Sequence, residues 1–535
     1  MSLLHIDMTS IVISEINKIS KIMAWSKYQN EIFEYAINPG NGSFVVQAVA
    51  GSGKTTTAVE CAKRIAASNP NYSILFLAFN KSIVEKLKTE TQGLNMTCKT
   101  LHGFGAGVLY KSGIKFCLNE NKWKNFINNN YLKYLKEIIP DKKIWIYKKN
   151  CENLLNMCRI NLIKGGDDNA VSEIAERYNI QCISNEVEAV SKMLKKTNEL
   201  IPFKTKIGYE IDWVDMLCMP QTDAFRKYIM KYDIVFIDEA QDLNKAQQQL
   251  MLLTVNKGGK FIGVGDMNQS ITGFAGALTN SFEQLENIAG KSLPLSVNYR
   301  CGKNIIAEAQ KIVPEITAYE NAIDGEIIHT DNLKCADKGD MIICRKTAPL
   351  ISIALKMMSV GKSAYIKGKD IAEDMKFLIE KVYSEGDDNG IGMNTLYSKL
   401  DNLLDKTKDD LIEKGAYKPD SHPVFAAMLD KVESIKILGS HCQGVGDVLE
   451  LLNKIFDDTV KGDAVMCSTV HKAKGLESDN VFIICPELLP MRYENQQDWE
   501  LKQEMNLKYV AITRAKQKLV WVDVCEALIK DIAVI

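Results

Sequence analysis

A glycine-rich segment that ends in a lysine and two threonines is the clearest chemical feature of this sequence. An apolar run leads into residues 51–56, which read Gly-Ser-Gly-Lys-Thr-Thr. Backbone N–H groups can wrap a triphosphate only where side chains are absent, as at Gly51 and Gly53. Lys54 would then reach the β- and γ-phosphates, while the Thr55 hydroxyl would hold Mg²⁺. The pattern predicts a strand, a phosphate loop and a helix.

Two adjacent acids supply the partner that such a loop needs. Residues 232–237 form an apolar run, and Asp238 and Glu239 follow it directly. A buried strand would deliver both carboxylates at its carboxyl end. Asp238 would join the Mg²⁺ shell, and Glu239 would orient or deprotonate an attacking water. Ala48 stands where the strict phosphate-loop pattern has its first glycine, a departure that removes none of the phosphate-facing groups. The structural alternatives are a glycine turn without a ligand and acids that only cap a helix.

Other polar and aromatic side chains allow both a functional and a structural interpretation. Gln29 could pair with the edge of adenine or be a solvated helix glutamine. Gln269 could sense a γ-phosphate, and Phe274 offers a ring on which a base could stack. His102 is as readily a structural donor as a ligand contact. Residues 142–149 alternate lysines with aromatic residues, which suits either a nucleic-acid contact or a solvated helix face.

Size and composition indicate several folded units and no membrane segment. A chain of 535 residues is too long for one core. Its net charge of −1 gives no overall attraction to nucleic acid, so a polyanion site must be a local groove. The fourteen cysteines include no CxxC pair and no metal-spaced cluster, and no apolar run is long enough to span a membrane. We therefore expect a cytoplasmic protein.

Strand-like apolar runs occur in two sets, each interrupted by a helical stretch. This order predicts an α/β protein with two parallel-sheet units, each carrying a mainly helical insertion. We place the first unit at residues 1–105 and 206–290, with its insertion at 106–205, and the second unit at residues 291–370 and 462–535, with its insertion at 371–461.

In chain order, the segments resemble the motifs of superfamily 1 helicases of the UvrD/Rep/PcrA type. The resemblance covers most of the chain apart from the two insertions and rests on Gln29, residues 50–55 (Ala-Gly-Ser-Gly-Lys-Thr), 79–81 (Phe-Asn-Lys), 100–104 (Thr-Leu-His-Gly-Phe), 238–242 (Asp-Glu-Ala-Gln-Asp), 264–271, 298–300 (Asn-Tyr-Arg), 469–477 and 509–515. It implies two RecA-like P-loop NTPase domains, with ATP and Mg²⁺ in the cleft between them and single-stranded DNA across both.

The resemblance also implies a role for individual residues. ATP contacts fall on Gln29, Ala50, Gly51, Ser52, Gly53, Lys54, Thr55, Thr56, Tyr299, Arg300, Gly475, Glu477 and Arg514. Catalytic roles fall on Lys54, Asp238, Glu239, Gln269, Arg300 and Arg514, with Thr55 and Asp238 as the metal ligands. DNA contacts fall on Phe79, Asn80, Thr100, His102, Phe104, Phe274, Arg345, Thr469 and His471. Taken without the resemblance, either late arginine would be interpreted as a surface charge or a member of a salt bridge.

The implied function is ATP-dependent 3′-to-5′ movement on single-stranded DNA with duplex unwinding, in replication or repair. The alternatives are a translocase that strips proteins from single strands and a nucleotide-switched DNA-binding module. Expected partners are single-stranded DNA, single/double-strand junctions and replication or recombination proteins, with the protein itself a monomer.

The chain also departs from the family pattern. Thr272, Phe274 and Ala275 replace its usual aromatic and basic residues, and Met505 and Asn506 stand where arginines are common. The short second insertion resembles phage-encoded members, which would place the protein in the host cytoplasm.

Overall fold

A six-stranded parallel sheet, called here the first sheet, carries the glycine-rich segment. The computed structural model describes residues 25–131, 144–178, 180, 182, 184–197, 203–206, 208–271, 280–384, 392–413, 418–457, 463–493 and 496–534. The strand order across the first sheet is Met96–Thr100, Ile74–Ala78, Tyr232–Ile237, Val255–Gly265, Phe44–Ala48 and Ser292–Leu295. All neighbours pair in parallel, so their carboxyl ends meet along one edge.

Helices cover both faces of the first sheet, which explains why its inner strands Ile74–Ala78 and Tyr232–Ile237 are largely apolar. Successive residues alternate between two cores, so that Val46 and Phe76 pack on one face while Val45 and Leu75 pack on the other. Ser26 starts the first described helix through a capping box with Gln29. The helices of this domain are Lys27–Ile37, Lys54–Ser68, Lys81–Glu90, Leu101–Lys111, Trp213–Cys218, Asp223–Arg226, Lys245–Leu253 and Ser281–Ala289.

A second six-stranded parallel sheet forms the other domain. Its strand order is Glu326–Thr330, Ala515–Val522, Ser478–Ile484, Met341–Cys344, Val465–Thr469 and Ala364–Ile366. Its helices outside the insertion are Lys303–Gln310, Ala348–Ser359, Val470–Ala473 and Asp498–Ile512. Val49, Ala50 and Ile271 of the first domain belong to the core on one face of this sheet. The two domains are therefore in contact beside the glycine-rich segment.

The first insertion has a hydrophobic core of its own. Its helices Lys122–Phe126, Ile144–Ile160, Asp168–Arg177 and Ser184–Leu194 bury a cluster that includes Trp123, Leu154 and Val190. A buried ion network joins it to the first domain, because Arg159 contacts both Asp212 and Asp215 at 2.6 and 2.7 Å. The ion pairs of Arg159 thus connect the first insertion, a helical unit with its own core, to the domain whose sequence it interrupts.

The second insertion shares its core with the second sheet. Its helices are Lys369–Ser384, Met393–Glu413, Pro423–Gly439 and Val445–Ile455. Leu396, Val432 and Leu452 belong to the same cluster as Ile342 and Phe482 of the sheet. No helix within the described ranges is long and apolar enough to cross a membrane.

The structure confirms the fold class and corrects two domain boundaries. The boundary at 290/291 is wrong, because Ser292–Leu295 pairs with Phe44–Ala48 and completes the first sheet. The boundary at 205/206 is also too early, since Tyr209–Ile211 pairs with Phe116–Leu118 at the base of the first insertion. Both errors place a short strand on the wrong side of a boundary, because a strand of three or four residues carries no mark of the sheet that it will join.

Candidate active site

The phosphate loop, residues 49–53, joins strand Phe44–Ala48 to helix Lys54–Ser68. Gly51 and Gly53 have φ of 63° and 77°, the left-handed region that favours glycine. A β-carbon at Gly51 would lie 2.6 Å from Nδ2 of Asn298, so the close approach also requires glycine. Gly53 caps the helix without a side chain, which leaves the first helix N–H groups open to an anion.

The first residues of that helix face the acidic pair. The Thr55 hydroxyl donates to Oδ2 of Asp238 at 3.0 Å, and Nζ of Lys54 lies 3.5 Å from Oε2 of Glu239. Glu239 has φ of 51°, an unusual value for a residue with a side chain. The start of helix Lys54–Ser68 and the end of strand Tyr232–Ile237 thus bring the residues predicted to bind phosphate, bind metal and orient water close together.

The electrostatics of the pair differ between its two members. Burial, together with the neighbouring Glu239, raises the pKa of Asp238 to about 6. Burial also opposes ionisation of Glu239, but Lys54 and Lys474 outweigh it and lower the pKa of Glu239 to about 2. Glu239 is therefore a carboxylate at neutral pH, as a water-orienting group must be.

The residues present fit a nucleotide-bound magnesium ion. Mg²⁺ takes oxygen ligands and usually adds substrate phosphates to one or two protein groups. Thr55 and Asp238 supply a hydroxyl and a carboxylate whose oxygens already lie 3.0 Å apart. A buried carboxylate with a raised pKa also gains from a cation beside it.

The remaining loop residues are placed in different ways. Ser52 is buried, and its hydroxyl donates to the Val49 carbonyl at 2.9 Å, so its side chain turns into the loop. Thr56 is exposed. Gln269 is buried and donates to Oδ2 of Asp266 at 2.6 Å rather than facing open solvent. Burial raises the pKa of Asp266, although Lys54 acts against it.

The adenine-side residues lie next to one another. Gln29 is buried, its Nε2 donates to the Thr57 hydroxyl at 3.0 Å, and its Oε1 accepts from the Ser26 N–H at 3.0 Å. The Tyr299 hydroxyl lies 3.5 Å from Oε1 of Gln29, and the Tyr299 N–H donates to the Gly51 carbonyl at 2.9 Å. A base between Gln29 and Tyr299 would have to exchange some of these bonds.

Arg300 lies beside the phosphate loop and is held by an acid. Its β-carbon lies 2.8 Å from the position that a β-carbon at Gly51 would occupy. Its Nε pairs with Oε2 of Glu477 at 2.7 Å, and Lys516 pairs with the other oxygen of Glu477 at 3.0 Å. Burial opposes ionisation of Glu477, but Lys516 and Arg300 lower its pKa. The guanidinium is thus positioned near the loop but engaged.

Arg514 is a charged side chain of the site that is almost completely buried. It is 1% exposed and donates to the carbonyls of Val510 and Leu476, each at 2.9 Å. Burial and the neighbouring Arg300 lower the pKa of Arg514 to about 10. Gly475, whose φ is 82°, forms the turn before Leu476. To reach a γ-phosphate, the Arg514 guanidinium would have to release at least one of these carbonyls.

Four predicted DNA contacts lie where the first sheet ends. Phe79 is 55% exposed at the end of strand Ile74–Ala78, and Asn80 caps the following helix. Thr100 caps the next helix, which carries His102. Burial lowers the pKa of His102, and its ring meets that of Trp213 edge-on at 5.9 Å. Trp213, which the sequence did not single out, is exposed beside it.

Phe104 is not available to DNA in this structure. It is 4% exposed and packs in the core between the first sheet and its helices, with its ring 6.4 Å from that of Tyr232. The prediction for Phe104 is corrected, because the helix Leu101–Lys111 turns this position inward while His102 faces out. Phe274 and the side chains of residues 142–149 lie outside the described residues.

Two of the DNA contacts predicted for the second domain line a cavity of about 800 Å³ between its sheet and the second insertion. Arg345 and His471 line it, together with the aromatic side chains of Tyr493 and Trp499. Arg345 makes a bidentate contact with Glu504 at 2.7 and 3.1 Å. Arg345 therefore reaches DNA only by leaving this carboxylate.

Two further features of this region bear on the DNA prediction. Burial, with help from Arg345 and Lys472, lowers the pKa of His471 to about 3. Thr469 caps helix Val470–Ala473 and is largely buried. His471 is therefore neutral at physiological pH, and Thr469 offers little surface.

Sequence reasoning assigned no role to three residues that connect the domains at the site. Asn298 Nδ2 donates to the Ala50 carbonyl at 2.7 Å, and the Tyr509 hydroxyl accepts from the Ala50 N–H at 2.9 Å. Lys474 pairs with Asp242 at 2.5 Å. All three lie inside the motifs that carry the family resemblance, which was the available signal; their partners are remote in sequence and could not be read from it.

Comparisons with known proteins identify the family to which this chain is similar. A family model of the UvrD/REP helicase N-terminal domain matches residues 29–289, and a model of the UvrD-like helicase C-terminal domain matches residues 388–525. The chain is 24% identical over 92% of its length to F-box DNA helicase protein 1 of Schizosaccharomyces pombe, covering 56% of that protein.

Two bacterial relatives complete the comparison. A probable DNA helicase II homolog of Mycoplasma genitalium is 26% identical over 56% of the chain and 44% of its own length. The ATP-dependent DNA helicase PcrA of Staphylococcus epidermidis is 22% identical over 92% of the chain and 83% of its own length. The chain thus spans about half the length of the first two relatives. With both family models matched in order, it belongs to the UvrD/Rep/PcrA-like family of superfamily 1 helicases.

Proposed function

We propose that this chain is an ATP-driven motor that travels 3′-to-5′ on single-stranded DNA and separates duplex ahead of it. The observation that carries the proposal is the approach of Arg300 to the phosphate loop, with 2.8 Å between its β-carbon and the β-carbon position at Gly51. An arginine brought from outside the loop to the cleft of Lys54 and Glu239 supports charge stabilisation during phosphoryl transfer.

In this proposal ATP is the substrate, and each side chain has one task. The loop N–H groups and Lys54 hold the phosphates, and Glu239 orients the attacking water as an ionised carboxylate. When bound by Thr55 and Asp238, Mg²⁺ would neutralise charge on the phosphate oxygens. Arg300 exchanges Glu477 for the γ-phosphate, and this exchange draws the two domains together.

In this proposal, DNA lies along the edges of the two sheets where the strands end. Phe79, exposed at the first sheet, suits stacking on a base, which contributes about 1–3 kcal/mol per base. Because the chain is nearly neutral overall, stacking and local cations carry more of the binding than a general positive charge. The names of the three relatives, all DNA helicases, support DNA as the substrate.

The proposal is tested by measuring ATP hydrolysis with and without single-stranded DNA, followed by unwinding of 3′-tailed and 5′-tailed duplexes. We expect hydrolysis to rise strongly with DNA and only the 3′-tailed duplex to be unwound. Hydrolysis that ignores DNA would contradict the motor, and unwinding from the 5′ tail alone would contradict the direction.

Displacement of streptavidin from biotinylated single strands separates the motor from its alternatives. A translocase that only strips proteins would displace streptavidin in an ATP-dependent manner but leave both duplexes intact. A nucleotide-switched binding module would change its DNA affinity with ATP and do neither.

A further inference from the structure

The hydroxyl of Tyr509 connects the second domain to the phosphate loop of the first. Tyr509 lies in helix Asp498–Ile512, and its side chain is 0% exposed. Its oxygen accepts the Ala50 N–H at 2.9 Å and donates toward Oδ2 of Asp266 at 3.5 Å. Because Ala50 is fully buried, its N–H depends on a protein partner rather than on solvent. Tyr509 is that partner.

Asp266 extends this contact to the catalytic candidates. Its carboxylate accepts from Nε2 of Gln269 at 2.6 Å, and its backbone N–H donates to Oε1 of Gln241 at 3.0 Å. Nε2 of Gln241 in turn donates to Oε2 of Glu239 at 2.5 Å. A continuous buried network therefore leads from the loop through Tyr509 and Asp266 to both Gln269 and Glu239.

One face of the helix carries the contact between the domains. Asn506 lies three residues before Tyr509, on the same side of the helix, and its Nδ2 donates to the Ser270 carbonyl at 2.9 Å. On the other side of the loop, Asn298 holds the Ala50 carbonyl at 2.7 Å. Both polar groups of Ala50 are thus fixed from outside the loop.

We propose that Tyr509 is a positioning residue: it fixes the positions of the phosphate loop, Gln269 and Glu239 relative to one another, as hydrolysis requires. This inference rests on the proposed function and deepens it. Arg514 follows at the end of the same helix and donates to the Val510 carbonyl at 2.9 Å. The helix therefore connects the Tyr509 contact with Ala50 to Arg514, a candidate catalytic residue. A movement of the helix would shift both residues together.

The test is Tyr509→Phe, which removes the hydroxyl and keeps the buried ring. We expect kcat of DNA-stimulated hydrolysis to fall by about tenfold or more, while KM for ATP changes less than about threefold, because a displaced loop loses reaction geometry before it loses binding. Amide hydrogen exchange of residues 45–56, measured with MgADP bound, should become faster.

Tyr178→Phe is the matched control. The Tyr178 hydroxyl accepts from Nδ2 of Asn161 at 3.1 Å within the first insertion, so the variant loses a comparable bond away from the loop. Its kcat and its exchange in residues 45–56 should equal those of the wild type. A Tyr509→Phe protein that matches Tyr178→Phe in both, or that only melts earlier with unchanged kcat, would overturn the inference.

A double variant tests the route through Asp266. If Tyr509 acts through Gln269, the losses of kcat in Tyr509→Phe and Gln269→Ala should combine to less than their product. Independent, multiplicative losses would overturn that route.

If Tyr509→Phe fails to fold, hydrogen exchange of the wild-type protein tests the inference instead. MgADP should slow exchange in residues 45–56 and 504–514 together, and protection confined to 45–56 would overturn the inference. Absence of any DNA-stimulated hydrolysis in the wild type would defeat the proposed function, while the exchange measurement still tests Tyr509.

Discussion

The two domains contain the same strand–loop–helix unit, but only one of the two loops is open. In the first domain, strand Phe44–Ala48 leads through the phosphate loop into helix Lys54–Ser68. In the second, strand Met341–Cys344 leads through residues 345–347 into helix Ala348–Ser359. Each strand lies inside its sheet with a parallel neighbour on both sides. The backbone plan is therefore shared.

The difference lies in what occupies the helix N-terminus. In the first domain it is capped by Gly53, with no side-chain bond. In the second, Asp430 of the second insertion accepts from the N–H groups of Thr347 and Ala348 at 2.9 Å. The Asp430 carboxylate thus occupies the position at the helix N-terminus where an anion could otherwise bind. In this protein, a distant side chain therefore fills at the second helix N-terminus the place that stays open at the first.

The largest difference should come from the lysine next to the helix N-terminus in each unit. Lys54→Ala should abolish ATP hydrolysis while some DNA binding persists, because Lys54 is the cation that holds the phosphates in the proposed mechanism. Lys346→Ala, its counterpart, removes a cation that pairs with Glu526 at 2.7 Å and should leave kcat within about twofold. Steady-state hydrolysis and fluorescence anisotropy of labelled single-stranded DNA provide the measurements. Equal losses in the two variants would break the comparison.

The acids of the two units should differ almost as much. Glu239→Gln should still bind ATP but hydrolyse it about 10²–10⁴-fold more slowly, since the water loses its orienting carboxylate. Glu526→Gln, which weakens only the ion pair with Lys346, should hydrolyse ATP at the wild-type rate. Nucleotide binding and single-turnover hydrolysis separate the two steps. Near-normal turnover in Glu239→Gln would remove it as the water-orienting group.

The closed helix N-terminus of the second domain should matter for stability. Asp430→Ala leaves two N–H groups without their acceptor, which should destabilise the protein by about 1–2 kcal/mol and leave ATP affinity unchanged. Asp409→Ala, at an exposed position of helix Met393–Glu413, is the control and should not alter the melting temperature. Thermal unfolding followed by circular dichroism gives the comparison. A stability equal to that of the control would show that the carboxylate has no capping role.

The smallest effect concerns pH and the DNA contacts of the second domain. Because burial and nearby cations lower the pKa of His471 to about 3, the ring stays neutral from pH 8 down to pH 6 and gains no charge to attract DNA. His471→Asn should therefore leave the dependence of single-stranded DNA affinity on pH unchanged over this range, at constant salt. A wild type that alone binds more tightly as the pH falls would contradict a neutral His471.

The local patterns of the sequence carried much of the candidate site. Gly51, Lys54 and Thr55 lie within five consecutive residues, and Asp238 follows an apolar run. Spacing alone therefore placed Gly51 in the loop after a strand, Lys54 and Thr55 at the start of the next helix, and Asp238 at the end of a strand. The fold class followed from the same alternation of strands and helices. These features are local because a parallel strand, its loop and the next helix are each written in a few consecutive residues.

The corrections concern contacts between distant segments. Ser292–Leu295 joined the first sheet instead of the second, and Phe104 turned into the core. Arg345, whose DNA contact stays a prediction, has an unforeseen partner in Glu504. Each outcome depends on which partner lies opposite, and residues far apart in the chain leave no sign of their pairing in a single sequence. The same reason explains why the Tyr509 contact to Ala50 was not foreseen, although both residues lie in recognised motifs.

The sequence by itself determined the chemistry available to this protein: a phosphate loop, an acidic pair and two late arginines in the order of one helicase family. Only the tertiary structure decided which of these groups meet, and in what state. Burial and neighbouring charges set the pKa of Asp238, Glu477 pairs with Arg300, and Asp430 caps the helix N-terminus of the second domain. Types and spacings are encoded locally, whereas proximity and desolvation exist only once the two sheets have packed together.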